Sequence, residues 1–268
     1  MAINPEKLIV DTIDLLTFEN ITTGELYFMM DEITDGTIEN GSETVFGTGK
    51  AGVRLSALDR NKTSKFSANN GYLVGGAISA QTGSPMVEAS EENPLEVPAH
   101  DILMMKAGAT SAVLSHVPVG VEGAEVKLLY KLKNGVQSVK LTVGTTASLG
   151  KTFTIDAETK TITFAAGEFV ADTEIFVPYT REVTEGVKYE NNTNEFSKSG
   201  RMILDLTCRD VCDNETVYHT KFVYPNAKMD GNFSISIGDT PAVHAISAEA
   251  LSNICSTSKR LWEWYVIE

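Results

Sequence analysis

The sequence has little of what would mark an enzyme, a membrane protein or a small secreted domain. Three cysteines occur in 268 residues, Cys208, Cys212 and Cys255. So sparse and odd a set builds no disulfide framework, and a chain of this length needs none. Free, buried thiols are the expectation. No apolar run approaches the roughly 20 residues that a membrane-spanning helix requires, so no membrane partner is expected. The first residues, Met-Ala-Ile-Asn-Pro-Glu-Lys, have neither the basic nor the apolar region of a signal peptide, which predicts synthesis and folding in a cytoplasm. Positive charge is scarce as well: 22 Lys and Arg stand against 36 Asp and Glu, a net charge of −14. Nonspecific binding to a phosphate backbone depends on clustered Lys and Arg and is disfavoured by that balance. The same charge keeps an abundant protein soluble.

Motifs that carry chemistry are also missing. No G-x-S-x-G, H-E-x-x-H or D-x-D-x-D-G stretch occurs. The four histidines, His100, His116, His219 and His244, stand beside no recognisable nucleophile or partner motif. Cys208 and Cys212 lie four apart with His219 nearby, but structural zinc asks for four N or S ligands at short regular spacings. In an extended strand positions 208 and 212 face the same side, which suits small core residues. The acids are scattered among strands and turns, and no pair stands out as an acid/base couple. No catalytic residue, metal or cofactor is expected.

One stretch does match a cofactor pattern. Gly47-Thr48-Gly49-Lys50-Ala51-Gly52 reads G-x-G-x-x-G, the dinucleotide fingerprint. That chemistry needs a preceding strand, a following helix and an acid about 20 residues on. Here Val53 to Leu58 alternates like a strand, and the next acids, Asp59 and Glu88, are too near and too far. A flexible loop or hairpin arm reaching a neighbouring subunit is the expected reading, with Gly47, Gly49 and Gly52 permitting its turns.

What the sequence does have is a 42% hydrophobic content fit for a globular core and a long series of strand signals. Leu26 to Met30, Val126 to Leu132, Val136 to Val143, Thr152 to Ile155, Thr161 to Phe164, Glu174 to Tyr179, Met202 to Cys208, Val217 to Tyr224 and Phe233 to Ile237 all read as strands. Asn134-Gly135 is a strong hairpin signal, and Asp156 to Lys160 reads as a second turn. Helix is predicted at the N-terminus, where Asn4 suits a cap, Pro5 the first turn, and Leu8, Ile9, Ile13, Leu15 and Leu16 an apolar side; Ile9, Val10 and Ile13 suit a strand equally. Further helix is predicted near Tyr72 to Gln81, weakened by Gly75-Gly76, and for a turn or two at Ala248 to Ile254. Many short strands spaced by turns predict a mainly β fold, two packed antiparallel sheets in a sandwich or barrel. No repeat or linker forces a cut, so residues 1–268 are expected to form a single domain, with loop insertions near 81–100 and 184–200.

Charge is uneven along the chain. Met1 to Glu43 holds ten acids and one Lys, whereas Phe46 to Ala80 holds five bases (Lys50, Arg54, Arg60, Lys62, Lys65) and one acid. Opposite-sign segments of one chain suit head-to-tail assembly; a solvated acidic face beside a basic one is the alternative. Arg54, Arg60, Lys62 and Lys65, with Gly47, Gly49 and Gly52, are the candidate intersubunit contacts.

Gly47 through Gly71 resembles a segment of siphophage major tail tube proteins, in which a Gly-rich arm runs into a strand of the type L-x-x-L-D-x-x-K-T. Leu55, Leu58, Asp59, Lys62 and Thr63 match that type. Thr161 to Phe164 followed by Glu174 to Thr180 is similar to the family's late hairpin, and Phe222 to Lys228 followed by Asn232 to Gly238 to its terminal strands. The resemblance implies two packed sheets with a short flanking helix, rings of six stacked into a tube, and an electronegative lumen that passes DNA without binding it specifically. It also implies tape-measure and tail-terminator proteins as partners and a place in the phage tail. Other phage structural proteins (a contractile-tail tube, a tail terminator, a capsid decoration protein) remain as alternatives, as does an adhesive or carbohydrate-binding β-sandwich. Trp262 and Trp264 share a face with Val266 by alternation, and core or subunit-interface packing is expected of that face ahead of sugar stacking.

Overall fold

A computed structural model describes residues 7–211, 216–235, 243–252 and 259–267. Four strands open the chain: β1 (Leu8–Glu19), β2 (Leu26–Met30), β3 (Ile33–Thr48) and β4 (Arg54–Asn70). The helix α1 (Gly75–Thr82) follows. A run of mostly short strands comes next: β5 (Val87–Glu88), β6 (Leu95–Met105), β7 (Ser111–Val113), β8 (Leu128–Lys133) and β9 (Val136–Val143). It continues with β10 (Thr152–Asp156), β11 (Thr161–Thr163), β12 (Thr173–Val183) and β13 (Val187–Lys188). Four strands close the chain: β14 (Ser199–Asp210), β15 (Val217–Met229), β16 (His244–Ala250) and β17 (Glu263–Ile267). The fold is mainly β, with sheets antiparallel apart from a short parallel pairing of β9 with β10, and one short α-helix among the described residues. The chain divides into two compact units, one of residues 87–188 and one built from the segments on either side. Its crossings fall at Met86–Val87 and Lys188–Tyr189, inside the polar stretches 81–100 and 184–200.

The first unit is a single curled sheet in the order β2-β1-β14-β15-β16-β4-β3, with β17 also paired to β15. Its interior holds Leu16, Phe18, Met30, Phe66, Met202, Leu204, Tyr224 and Ile246. The predicted N-terminal helix is instead the strand β1 from Leu8 onward, and Asn4 and Pro5 lie outside the described residues. The misreading has a physical cause. Against β14, β1 carries register shifts between Val10 and Thr12 and between Ile13 and Leu15, so Asp11 and Asp14 are bulge residues. Each bulge moves the alternation by one position. The residues opposite inward-facing Cys208, Leu206, Leu204 and Met202 are therefore Val10, Ile13, Leu16 and Phe18, a spacing that imitates a helical period. The bulged acids are used outside the sheet: Asp11 accepts from Arg209 Nε at 2.8 Å and Asp14 from Thr207 Oγ1 at 2.6 Å. At the other end of the sheet Gly36 of β3 faces β1, and a Cβ there would sit 2.3 Å from Ile13 Cδ1. That contact nearly closes the sheet into a barrel.

Other expectations shift for similar reasons. Ala248 to Ala250 belong to β16, held by pairing to β4 and β15, and the rest of the predicted C-terminal helix from Asn253 lies outside the described residues. Of the expected strand at Phe233 to Ile237 only a bridge between Ile235 and His244 is seen, and 236–237 are not described. Helix α1 forms as expected but begins at Gly75. Gly76 is needed for its approach to β2, because a Cβ there would lie 2.5 Å from the Tyr27 carbonyl oxygen.

Helix α1 is pinned to the barrel by His244, which is fully buried. The Val74 N–H points at Nδ1, 3.3 Å away, so Nδ1 accepts and Nε2 carries the proton, donating to Gln81 Oε1 at 2.7 Å. Gln81 Nε2 in turn donates to the Ala245 carbonyl at 3.1 Å. Burial holds the His244 pKa below its ordinary value, since a charged imidazolium would be desolvated there.

The second unit is a sheet in the order β6-β12-β8-β9-β10-β11-β7, beside a small β5-β13 pair. The Asn134-Gly135 turn joins β8 to β9 with φ of 53° and 75°, the left-handed pair that a two-residue hairpin requires. The core is aromatic, with Phe153, Phe164 and Phe169 buried and the last two edge to face at 4.9 Å. A buried ion pair joins it: Lys131 Nζ lies 2.5 Å from Glu168 Oε1, and the Gly150 N–H donates to Glu168 Oε2 at 2.6 Å.

Two stability predictions follow from these interiors. Lys131→Met strands the Glu168 carboxylate, and urea denaturation is expected to show a loss of about 3–5 kcal/mol, most of it recovered when Glu168→Leu is added. For His244, an unfolded imidazole titrates near about 6.5 whereas the folded one stays neutral, so the unfolded chain binds more protons in acid. The stability from this group is thus complete above about pH 6.5 and is lost as pH falls toward the depressed folded value. The drop in urea midpoint between pH 7.5 and 5.5 is expected to be smaller in His244→Gln than in the wild type.

Candidate assembly surface

Strands β3 and β4 pair from Ile33–Asn70 out to Thr48–Arg54, much further than the barrel reaches. Near the barrel Ser64, Phe66, Ala68 and Asn70 are buried, but from Glu39 to Thr48 and from Arg54 to Thr63 every residue is exposed. The exposed part is a hairpin arm that extends roughly 30 Å at the usual strand rise. Pairing between its two strands satisfies the inward-facing half of its backbone and water meets the outward half, so the arm takes a hairpin shape without a core.

The predicted site residues divide along this arm. Gly47, Gly49, Gly52 and Arg54 come together at the tip. The Gly49 N–H donates to the Val53 carbonyl at 2.8 Å and the Gly52 N–H to the Gly49 carbonyl at 3.2 Å, with Gly52 at φ 76°, where a side chain would be strained. At Gly49 a Cβ would sit 2.6 Å from Leu55 Cδ1, so the glycine lets Leu55 fold over the turn. A turn of 3-10 helix spans Lys50–Gly52 and strand geometry resumes at Val53. The helix N-terminus that a pyrophosphate site would need is not formed after this motif. Arg54 lies over the Phe46 ring, 3.9 Å from its centroid.

Arg60 and Lys62 lie midway along the arm, beside a bulge at Asn61, whose φ is 51°. Arg60 stands opposite Glu43, and Asn61 Nδ2 donates to Glu43 Oε2 at 2.8 Å. Lys65 is not on the arm; it sits on the barrel wall between Glu39 of β3 and Glu249 of β16. Part of the acidic and basic charge that the sequence separates is therefore brought together within one hairpin, and the tip keeps an excess of base in Lys50 and Arg54.

Sequence reasoning passed over the arm's apolar side chains. Val45, Phe46, Val53, Leu55 and Leu58 are all exposed, Leu55 to 73%. In sequence they read as an ordinary strand with a buried face, and only the absence of anything covering them reveals otherwise. The C-terminal segment meets the base of the arm: Trp262, just before β17, stacks on Phe222 at 5.0 Å and donates to Asn40 Oδ1 at 2.9 Å, yet Trp262 and Trp264 each stay more than a third exposed. Exposed apolar side chains such as these on the arm are available to an interaction surface. Among the described residues no group of His, Cys, Asp or Glu is arranged to hold a metal ion. Cys208 is a buried free thiol 3.4 Å from Thr220 Oγ1, and Cys212 and Cys255 lie outside the described residues. No described helix is long and apolar enough to cross a membrane.

The sequence profile of the YomU/Tube protein family matches residues 7–262, a span that includes the 87–188 unit, the whole arm and every strand of the first unit except β17. No curated protein matches the chain.

The arm buries nothing, so shortening it is expected to leave the barrel intact. Replacing residues 47–56 by Asn-Gly joins Phe46 to Ala57, which already face each other across the hairpin, through a favoured two-residue turn. Thermal melts of this variant and the wild type are expected to coincide within about 2 °C, as substitutions away from buried features usually change stability by less than about 0.5 kcal/mol.

Proposed function

The chain belongs to the YomU/Tube protein family, and from that membership we propose that it is the major tail tube subunit of a bacteriophage, a structural virion protein that stacks in rings of six around a DNA-conducting lumen. The observation that carries this reading is the arm: a hairpin with exposed apolar side chains and a basic tip on a subunit of net charge −14. A monomer has no use for such a projection, whereas a ring or stack covers it. The acidic balance suits a conduit, since phosphates that meet few Lys and Arg release few counterions and do not stick. On this reading the protein catalyses nothing, resides in the tail, and meets the tape-measure and tail-terminator proteins at the tube's interior and end. The unit of residues 87–188 is then an insertion into the tube domain, entered and left through the polar stretches 81–100 and 184–200.

Tube yield tests the reading directly. Single surface pairs contribute only about 0–1 kcal/mol, so Arg60→Glu alone is expected to assemble nearly as well as the wild type. Reversing Arg54, Arg60 and Lys62 to Glu together is expected to abolish pelletable tubes, with circular dichroism unchanged; Lys65 is left in place because its neighbours on the barrel wall are Glu39 and Glu249. Raising salt is expected to weaken wild-type assembly in part, as the Debye length falls from about 10 Å at 0.1 M to about 3 Å at 1 M. A wild type that stays monomeric at high concentration would overturn the reading, whereas a triple variant that forms tubes normally would show that these bases are a solvated face and overturn the charge argument alone.

A further inference from the structure

The first unit has a cleft where its barrel fails to close. Among the described residues strand β1 pairs with β2 only over Leu16–Glu19, and β3 pairs only with β4. Between the first half of β1 and the start of β3 lies an open cleft of about 430 Å³, floored by Ile33, Ile38, Phe66, Leu204 and Leu206. Asp11 and Asp35 stand at its mouth. A space of that volume is in the range of natural binding pockets, and this one joins an apolar floor to an acidic rim.

The tip of the arm has the complementary character. Val53 and Leu55 are its most exposed apolar side chains, at 58% and 73%, and Lys50 and Arg54 flank them. We propose that the arm tip of a second copy of this chain docks in the β1–β3 cleft, with Val53 and Leu55 on the apolar floor and Lys50 and Arg54 against Asp11 and Asp35. The inference rests on the reading of the arm as an assembly element and names its receptor. Geometry excludes the chain's own tip. The cleft is lined by the start of β3 and the tip lies past its end, and Gly36 to Thr48 in extended conformation separates them by roughly 40 Å. The contact joins two different patches, so it is heterologous and generates rings or open stacks of copies rather than closed pairs.

The experiment combines photo-crosslinking with a charge swap on the full-length chain. With benzoylphenylalanine at position 55, assembled protein is expected to give cross-linked dimers whose joined peptides contain residues 33–38 or 204–206. Arg54→Glu and Asp11→Lys are each expected to cut tube yield about tenfold, and the double variant to recover most of it, as oppositely charged partners at an interface do. Asp11 is chosen because its pairing with Arg209 is exposed, whereas the Asp35 carboxylate accepts from the Asn69 backbone N–H at 3.0 Å and belongs to the hairpin itself. Thermal melts establish that each variant is folded. If Arg54→Glu blocks assembly but the swap gives no recovery and cross-links map elsewhere, the cleft is not the receptor and the arm reading survives. Full assembly both of Arg54→Glu and, separately, of the shortened-arm variant overturns both.

Discussion

A β-sheet hides its side chains only where something lies against it, and β3 and β4 outrun the barrel they complete. Up to about Ile38 and Ser64 their inner faces rest on Phe66, Leu204 and the rest of the first unit's core. Beyond that point the same two strands continue to pair, interrupted by a bulge at Asn61, with no cover. Hydrogen bonding keeps the arm in shape while burial gives it nothing, so its apolar residues are available to another surface. The arm's reach, the basic tip and the argument for assembly all follow from that mismatch of lengths.

The barrel itself is held by side chains that stand in for missing backbone pairing. Ile13 over Gly36 narrows a seam that no ladder among the described residues crosses, and leaves a cleft beside it. Helix α1 is secured by a chain of hydrogen bonds from Val74 through His244 and Gln81 to Ala245. A neutral, buried imidazole that accepts at one nitrogen and donates at the other can join a helix start to a strand, which no carboxylate could do at such burial without a counter-charge. The second unit solves its own polar problem differently, placing Lys131 against Glu168 among phenylalanines.

Several elements were legible from residues alone because their signals are local. Asn134-Gly135 specified a left-handed turn between β8 and β9, and the alternating runs over 136–143, 202–208 and 217–224 all lie within strands. Cys208 was expected to be a small buried residue of a strand face and is one. The N-terminal segment misled because two bulges at Asp11 and Asp14 broke a period of two into something close to a helical period. Bulges are set by the partner strand, and β14 lies nearly two hundred residues away in sequence. The Gly-rich motif could be dismissed as a nucleotide site from its missing context, but its role in seating Leu55 over a tight turn needed coordinates.

Composition and local pattern by themselves determined that this protein is mainly β, acidic, short of cysteine and without a recognisable catalytic motif, because each of those is a property of residues taken singly or in short runs. Tertiary structure alone decided that Leu55 and Leu58 face solvent while Phe66, on the same strand, is buried. It also decided that Lys65 and Arg54, both counted in one basic segment, occupy a barrel wall and an arm tip. Sequence records how apolar or charged a side chain is; whether anything covers it depends on where distant strands stop, and that length is fixed only when β3 and β4 meet the barrel.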